Sequence, residues 1–156
     1  VGNGVLKLGE KVELLTGCHG HRISKYTEVD WVPFNPNNPT TERVLKVLRG
    51  LIPDNEPDTF HYFMHYLAST LDGRIKDSMI VLLVGRGANG KTVLIELHKS
   101  VMGAYAAKMP MSFLTSENKN SGAATPDLMQ LVDARFAYYS ESPEGAVINE
   151  RKVSQY

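Results

Sequence analysis

The sequence predicts an α/β fold, a central and mostly parallel sheet preceded by a small mixed α+β region. Three observations carry that prediction. Residues 78–84, Ser-Met-Ile-Val-Leu-Leu-Val, form a continuous apolar run between Asp77 and Gly85, the pattern of a strand buried on both faces of a parallel sheet. The run feeds directly into a glycine-rich loop. After it, Val93, Leu94, Leu97, His98 and Val101 recur at helical spacing until Gly103 closes the helix.

The lead-in, residues 1–73, reads as short strands followed by two helices. Asn3-Gly4 precedes Val5-Leu6-Lys7-Leu8, and Val12-Glu13-Leu14-Leu15 follows Gly9, which predicts a small hairpin. Residues 26–34 mix aromatic and β-branched side chains, and Asn35-Pro36-Asn37-Asn38-Pro39 then breaks the chain. Thr40 or Thr41 can cap a helix whose apolar positions are Val44, Leu45, Val47, Leu48, Leu51 and Ile52, with Pro53 ending it. A second helix starts near Pro57-Asp58 and aligns Phe60, Phe63, Met64, Leu67, Ala68 and Leu71 on one face, with a stop at Leu71-Asp72-Gly73. Residues 74–156 then form the second unit, cut short at its C-terminal end.

Composition narrows the function classes. At 156 residues the chain can bury a real core, and 42% apolar with 22% charged residues are ordinary globular values. Its 17 basic and 17 acidic residues balance. Neither unit carries the basic excess of an autonomous nucleic-acid binder. The single Cys18 rules out an internal disulfide framework and fits a reducing, intracellular compartment. The apolar stretch 79–84 is only six residues, far short of a membrane span. The chain lacks an initiating Met and stops within a helical pattern, so it reads as a fragment.

Two clusters invite a metal reading. Cys18-His19-Gly20-His21 gathers soft ligands, and His61 and His65 stand four apart on one helix face. Structural zinc sites need two complete ligand pairs at regular spacing, which neither cluster supplies, so no zinc site is expected.

The chemistry lies in Gly85-Arg86-Gly87-Ala88-Asn89-Gly90-Lys91-Thr92, which fits G-x-x-x-x-G-K-[ST] at every fixed position. Chance gives such a match about once per few hundred chains of this length, and the strand before and helix after reduce that further. Each residue type answers a need of a bound triphosphate. The glycines allow the backbone to approach closely and turn its N–H groups inward. The helix starting near Lys91 adds its positive end. Lys91 brings a full charge to the β- and γ-phosphates, and the Thr92 hydroxyl completes the shell of a hydrated Mg²⁺. Gly85, Gly87, Ala88, Asn89, Gly90, Lys91 and Thr92 are therefore the expected ATP-binding residues of a P-loop NTPase.

Hydrolysis also needs a carboxylate. Ala134-Arg135-Phe136-Ala137-Tyr138-Tyr139 is a short strand pattern ending at Ser140-Glu141, after a predicted helix over 126–132. A carboxylate at the end of a strand beside the loop can polarise the attacking water and share Mg²⁺ with Thr92. Glu141 is favoured over Glu144, because Pro143 has already broken the strand.

These residues resemble a family. Gly85-x-Gly87-x-Asn89-Gly90-Lys91-Thr92 is similar to the G-x-G-x-N-G-K-[ST] of the superfamily III helicase module (AAA+-like), found in the primase–helicase and NTPase proteins of large DNA viruses, the poxvirus type included, and of some phages and plasmids. Ala124-Thr125-Pro126-Asp127-Leu128 with Leu131, Arg135 and Ser140-Glu141-x-Pro143-Glu144-Gly145 resembles its stretch around the second acidic motif. Ile148-Asn149 and Lys152-Val153 look like the opening of the next motif. Asn3-Gly4-Val5-Leu6, and Ser24-Lys25 through Val29-Asp30-Trp31, are similar to the region that precedes these helicases. The resemblance implies ATP hydrolysis coupled to DNA unwinding in viral or mobile-element replication, in the host cytoplasm or at the replication site. It also implies a homo-hexameric ring on single-stranded DNA, with no membrane partner. Two departures stand out: the acidic pair is reduced to Ser140-Glu141, and Tyr156 precedes the family's sensor residue, DNA loop and arginine finger. The competing readings are another P-loop NTPase, such as a DNA-packaging ATPase, and a non-catalytic nucleotide- or partner-binding module. A small-molecule kinase would carry an arginine-bearing lid, whereas residues 112–125 hold only Lys119 as a cation.

Overall fold

The computed structural model describes residues 1–17, 19–52, 57–74, 80–85, 89–109 and 129–139. In chain order these hold strand β1 (Val5–Lys7), strand β2 (Glu13–Leu15), helix α1 (Pro39–Arg49), helix α2 (Pro57–Ser69), helix α3 (Lys91–Met102), a 3₁₀ turn (Gly103–Tyr105), strand β3 (Ala106–Lys108) and strand β4 (Phe136–Tyr138).

β1 and β2 pair antiparallel with Val5 opposite Leu15 and Lys7 opposite Glu13, the hairpin the turn residues predict. The 26–34 segment forms no strand. Its backbone groups go elsewhere: Asn3 Nδ2 donates to the Trp31 carbonyl at 2.8 Å, and the Trp31 N–H donates to Asn3 Oδ1 at 2.9 Å. A side-chain amide that takes both partners of one residue leaves no ladder to extend.

Asn38, not Thr40 or Thr41, caps α1. Its Oδ1 accepts from the Thr40 N–H at 2.8 Å, and Pro39 occupies the first helical position. Proline lacks the N–H that position would leave orphaned, and its fixed φ suits the first turn, so the cap falls on the residue before it. α2 stops where two hydroxyls bond back to helix carbonyls: Ser69 Oγ donates to the Tyr66 carbonyl and Thr70 Oγ1 to the Leu67 carbonyl, both at 2.7 Å.

The three helices share one core. Leu48 of α1, Phe63 of α2 and Leu94 of α3 are buried together, with Leu51, Ile52, Phe60, Met64 and Leu67 packed around them. Burial of each such side chain contributes about 1.5–3 kcal/mol. The lead-in helices thus pack directly on the helix that follows the glycine-rich loop.

A second buried group joins α3 to the strands. β3 and β4 pair parallel, Ala106 opposite Phe136 and Lys108 opposite Tyr138. Phe136 meets His98 of α3 edge-to-face, centroids 4.6 Å apart. Thr70 Oγ1 lies 2.8 Å from His98 Nε2. The Thr70 hydroxyl donates to the Leu67 carbonyl, so its oxygen accepts from His98, which assigns the imidazole proton to Nε2. The end of α3 is also fastened to the lead-in. The Ala104 N–H donates to the Tyr26 carbonyl at 3.1 Å, and Tyr105 Oη donates to the Lys25 carbonyl at 2.6 Å.

The fold is α/β, but the expected central sheet differs among the described residues. Two separate two-stranded sheets are present, and only β3–β4 is parallel. Residues 80–84 form no strand, and Leu82 and Val84 are 67% and 89% exposed. An apolar run becomes a strand only when neighbours take up its N–H and C=O groups, and no described strand does so. The expected helix over 126–132 lies partly outside the described residues; Met129 is helical and the chain turns over 130–133. Among the described residues no helix is long and apolar enough to cross a membrane.

Burial holds the His98 pKa below its ordinary value of 6.5. The unfolded chain then binds the proton more readily, so the stability carried by neutral His98 is present above about pH 6.5 and lost as pH falls below it. The urea midpoint is expected to drop between pH 7 and pH 5, and less steeply in His98→Gln, whose amide can still donate to Thr70. Equal slopes in the two proteins would show that His98 does not carry the effect.

Candidate functional site

The site is built at the start of α3. Gly90 precedes the helix in the left-handed conformation, φ 84° and ψ 1°, where side chains other than glycine are strained. Gly90 has no side chain with which to cap the α3 N-terminus. The positive end of the helix lies at this point.

Lys91 is the first residue of α3, and its side chain turns back over the loop. Its Nζ donates to the Gly85 carbonyl at 3.0 Å and to Asn89 Oδ1 at 2.6 Å. The ammonium thus ties the end of the apolar run to Asn89, two residues before the helix begins. Gly85 must be small there: a Cβ would run into the Asn89 side-chain amide. Thr92 is next along the helix, with its side chain exposed. Gly85, Asn89, Gly90, Lys91 and Thr92 accordingly meet at one helix end, a lysine ammonium beside the first turn of α3. Such a group can hold a polyanion.

Gly87, Ala88 and Glu141 lie outside the described residues. The strand leading to Glu141 is described, and α3 holds it twice. His98 packs on Phe136, and the Lys99 ammonium lies over the Tyr138 ring, 5.9 Å from its centroid. One helix therefore presents the lysine and supports the strand that runs toward the acid.

Sequence reasoning missed the contact between Lys91 and Asn89. The general G-x-x-x-x-G-K-[ST] pattern leaves position 89 open, but the helicase-type pattern holds Asn there, and Asn89 is the one side chain in the loop that can offer a neutral carbonyl acceptor, which is a signal available from sequence. Cys18 is outside the described residues, and His61 and His65 are exposed on α2. Among the described residues no three His, Cys, Asp or Glu side chains converge on a point that could hold a metal ion.

The chain is 34% identical, over 99% of its length, to the proposed primase C962R of African swine fever virus (isolate Warthog/Namibia/Wart80/1980), covering 16% of that protein. It is 27% identical over 94% of its length to the proposed helicase L207/L206 of Acanthamoeba polyphaga mimivirus, and 30% identical over 78% to the proposed helicase 022R of Frog virus 3. These alignments cover 15% and 13% of the two relatives. The chain is homologous to viral primase and helicase proteins. It spans about one sixth of the relatives' length. No protein-family model matches it.

The left-handed start of α3 can be tested directly. Gly90→Ala must hold φ at 84° with a Cβ placed 2.6 Å from Leu51 Cδ2. It is expected to destabilise the protein by about 1–3 kcal/mol, read as a lowered denaturation midpoint. An unchanged midpoint would mean that α3 does not begin this way.

Proposed function

We propose that this chain is the ATP-binding and ATP-hydrolysing part of a superfamily III-type DNA helicase, a primase–helicase acting in the replication of a large DNA virus or mobile element. The observation that carries the reading is the convergence of the motif's described residues on the N-terminal end of α3. Lys91 Nζ lies within hydrogen-bond reach of both Gly85 and Asn89, and Gly90 starts the helix without a side chain. Kinship with viral proteins named for primase and helicase activity supports the biological setting.

The roles follow from the chemistry of the side chains. Backbone N–H groups of the loop and of the first turn of α3 donate to the phosphate oxygens, and Lys91 neutralises the β- and γ-phosphates. An exposed Thr92 hydroxyl one position into the helix fits a hydrated Mg²⁺, and Glu141 is the second group proposed to hold it. That ion would offset the negative charge of the phosphates. Glu141 accepts the proton of the attacking water. In the complete protein, unwinding is proposed to need single-stranded DNA and a homo-hexameric ring. There an arginine from a neighbouring subunit stabilises the transferred phosphoryl group, an effect worth about 10³–10⁵ in rate.

Lys91→Ala is expected to weaken ATP binding about ten- to a hundredfold, the loss of one charge-assisted contact, while leaving the far-UV dichroism unchanged. Titration of a fluorescent ATP analogue into the folded variant measures it. Unaltered affinity would remove Lys91 from the site.

Glu141→Gln in the complete protein keeps the shape but cannot take a proton. It is expected to retain ATP binding and lose phosphate release. If Glu144→Gln is inactive while Glu141→Gln turns over normally, the acid has been placed three residues too early.

A further inference from the structure

We propose that Asn89 is a positioning residue that braces the Lys91 ammonium against the loop without cancelling its charge. The inference rests on the nucleotide-binding reading above and deepens it.

The geometry is specific. Lys91 Nζ reaches a backbone acceptor at one end of the loop, the Gly85 carbonyl at 3.0 Å, and a side-chain acceptor at the other, Asn89 Oδ1 at 2.6 Å. The second contact has the length of a strong charge-assisted hydrogen bond. A four-carbon lysine stem has rotamer entropy to lose when it is fixed on a ligand. Two acceptors that hold the ammonium over the loop meet part of that cost before any phosphate arrives. The other side of Asn89 is also engaged, because its amide nitrogen sits over the Cα of Gly85, where no Cβ would fit. Asn89 thus lies with its amide nitrogen beside Gly85 and its oxygen turned to the lysine.

The amide differs from a carboxylate in one decisive respect. An Asp at this place would make an equally good hydrogen bond, but it would neutralise the ammonium and set a negative charge beside an incoming triphosphate. Asn supplies the acceptor and leaves the full positive charge for the ligand. Asn89 thus acts through Lys91, and the consequence separates charge from shape.

The test compares wild type, Asn89→Ala and Asn89→Asp, with Mg-ATP titrated into the full chain and thermal midpoints measured alongside. The expected result is a loss of affinity of about tenfold in Asn89→Ala and about a hundredfold in Asn89→Asp, with midpoints no lower in the Asp variant than in the Ala variant. Equal affinity in the two variants, or wild-type affinity in either, overturns the proposal. A structural role alone would penalise Ala more than the nearly isosteric Asp. A second measurement does not depend on nucleotide. Side-chain ¹⁵N resonances of Lys91, recorded without nucleotide, should show a shifted ammonium signal in Asn89→Asp and a shifted, faster-exchanging one in Asn89→Ala. A Lys91 signal identical in all three proteins disproves the brace, even if ATP binds. Absence of ATP binding to wild type with the expected Lys91 shifts keeps the brace and removes the nucleotide reading.

Discussion

Helix α3 has to bury one face against two different partners while keeping its first turn in water. Leu94 completes the cluster made by Leu48 and Phe63, whereas His98 and Met102, one and two turns further on, are buried beside Thr70 and Phe136. Spacings of four residues keep all three on one side of the helix. The far end is anchored by the Ala104 and Tyr105 bonds to the 25–26 backbone. Every other described element except the β1–β2 hairpin either packs on this helix or is joined to it. The N-terminus of α3 is fixed as a consequence, which is what a site made of backbone donors requires.

With the helix end fixed, the described residues at its start set the geometry of the candidate site. Gly90 turns the chain by a left-handed residue, and Lys91 then reaches back to Gly85 and Asn89. The result is a cross-braced entry into the helix in which a cation is held near, but not neutralised by, its supports. The lysine and the strand leading to Glu141 are carried by one rigid element, so small shifts in the α1–α2 pair would move both together.

The parallel strands are modest. β3 and β4 are three residues each, with α3 packed against one face through His98 and Phe136. The 80–84 run is apolar and exposed, although its composition is that of a strand covered on both faces. Composition of this kind records the environment a segment is suited to. Hydrogen-bonding partners decide whether it becomes a strand.

The sequence by itself determined the three helices, the hairpin and where the candidate site falls along the chain. Apolar spacing marked α1, α2 and α3 because helix faces repeat every 3.6 residues, and Asn3-Gly4, Gly103 and the proline at 57 marked ends because backbone geometry there is local. The glycines and lysine of the loop were legible for the same reason. What only the tertiary structure decided is where distant groups meet. Asn38 displaced Thr40 as the cap once Pro39 entered the helix. The 26–34 segment lost its strand character to Asn3. β3, an unremarkable Ala-Ala-Lys, became a strand because β4 lay beside it. His98, which reads as one more apolar-face position, bonds Thr70 twenty-eight residues away. Residue type and spacing encode what a segment can do with its neighbours in sequence. A cap displaced by proline, a strand completed by a partner and a buried imidazole each depend on a three-dimensional neighbour, and no local pattern contains that.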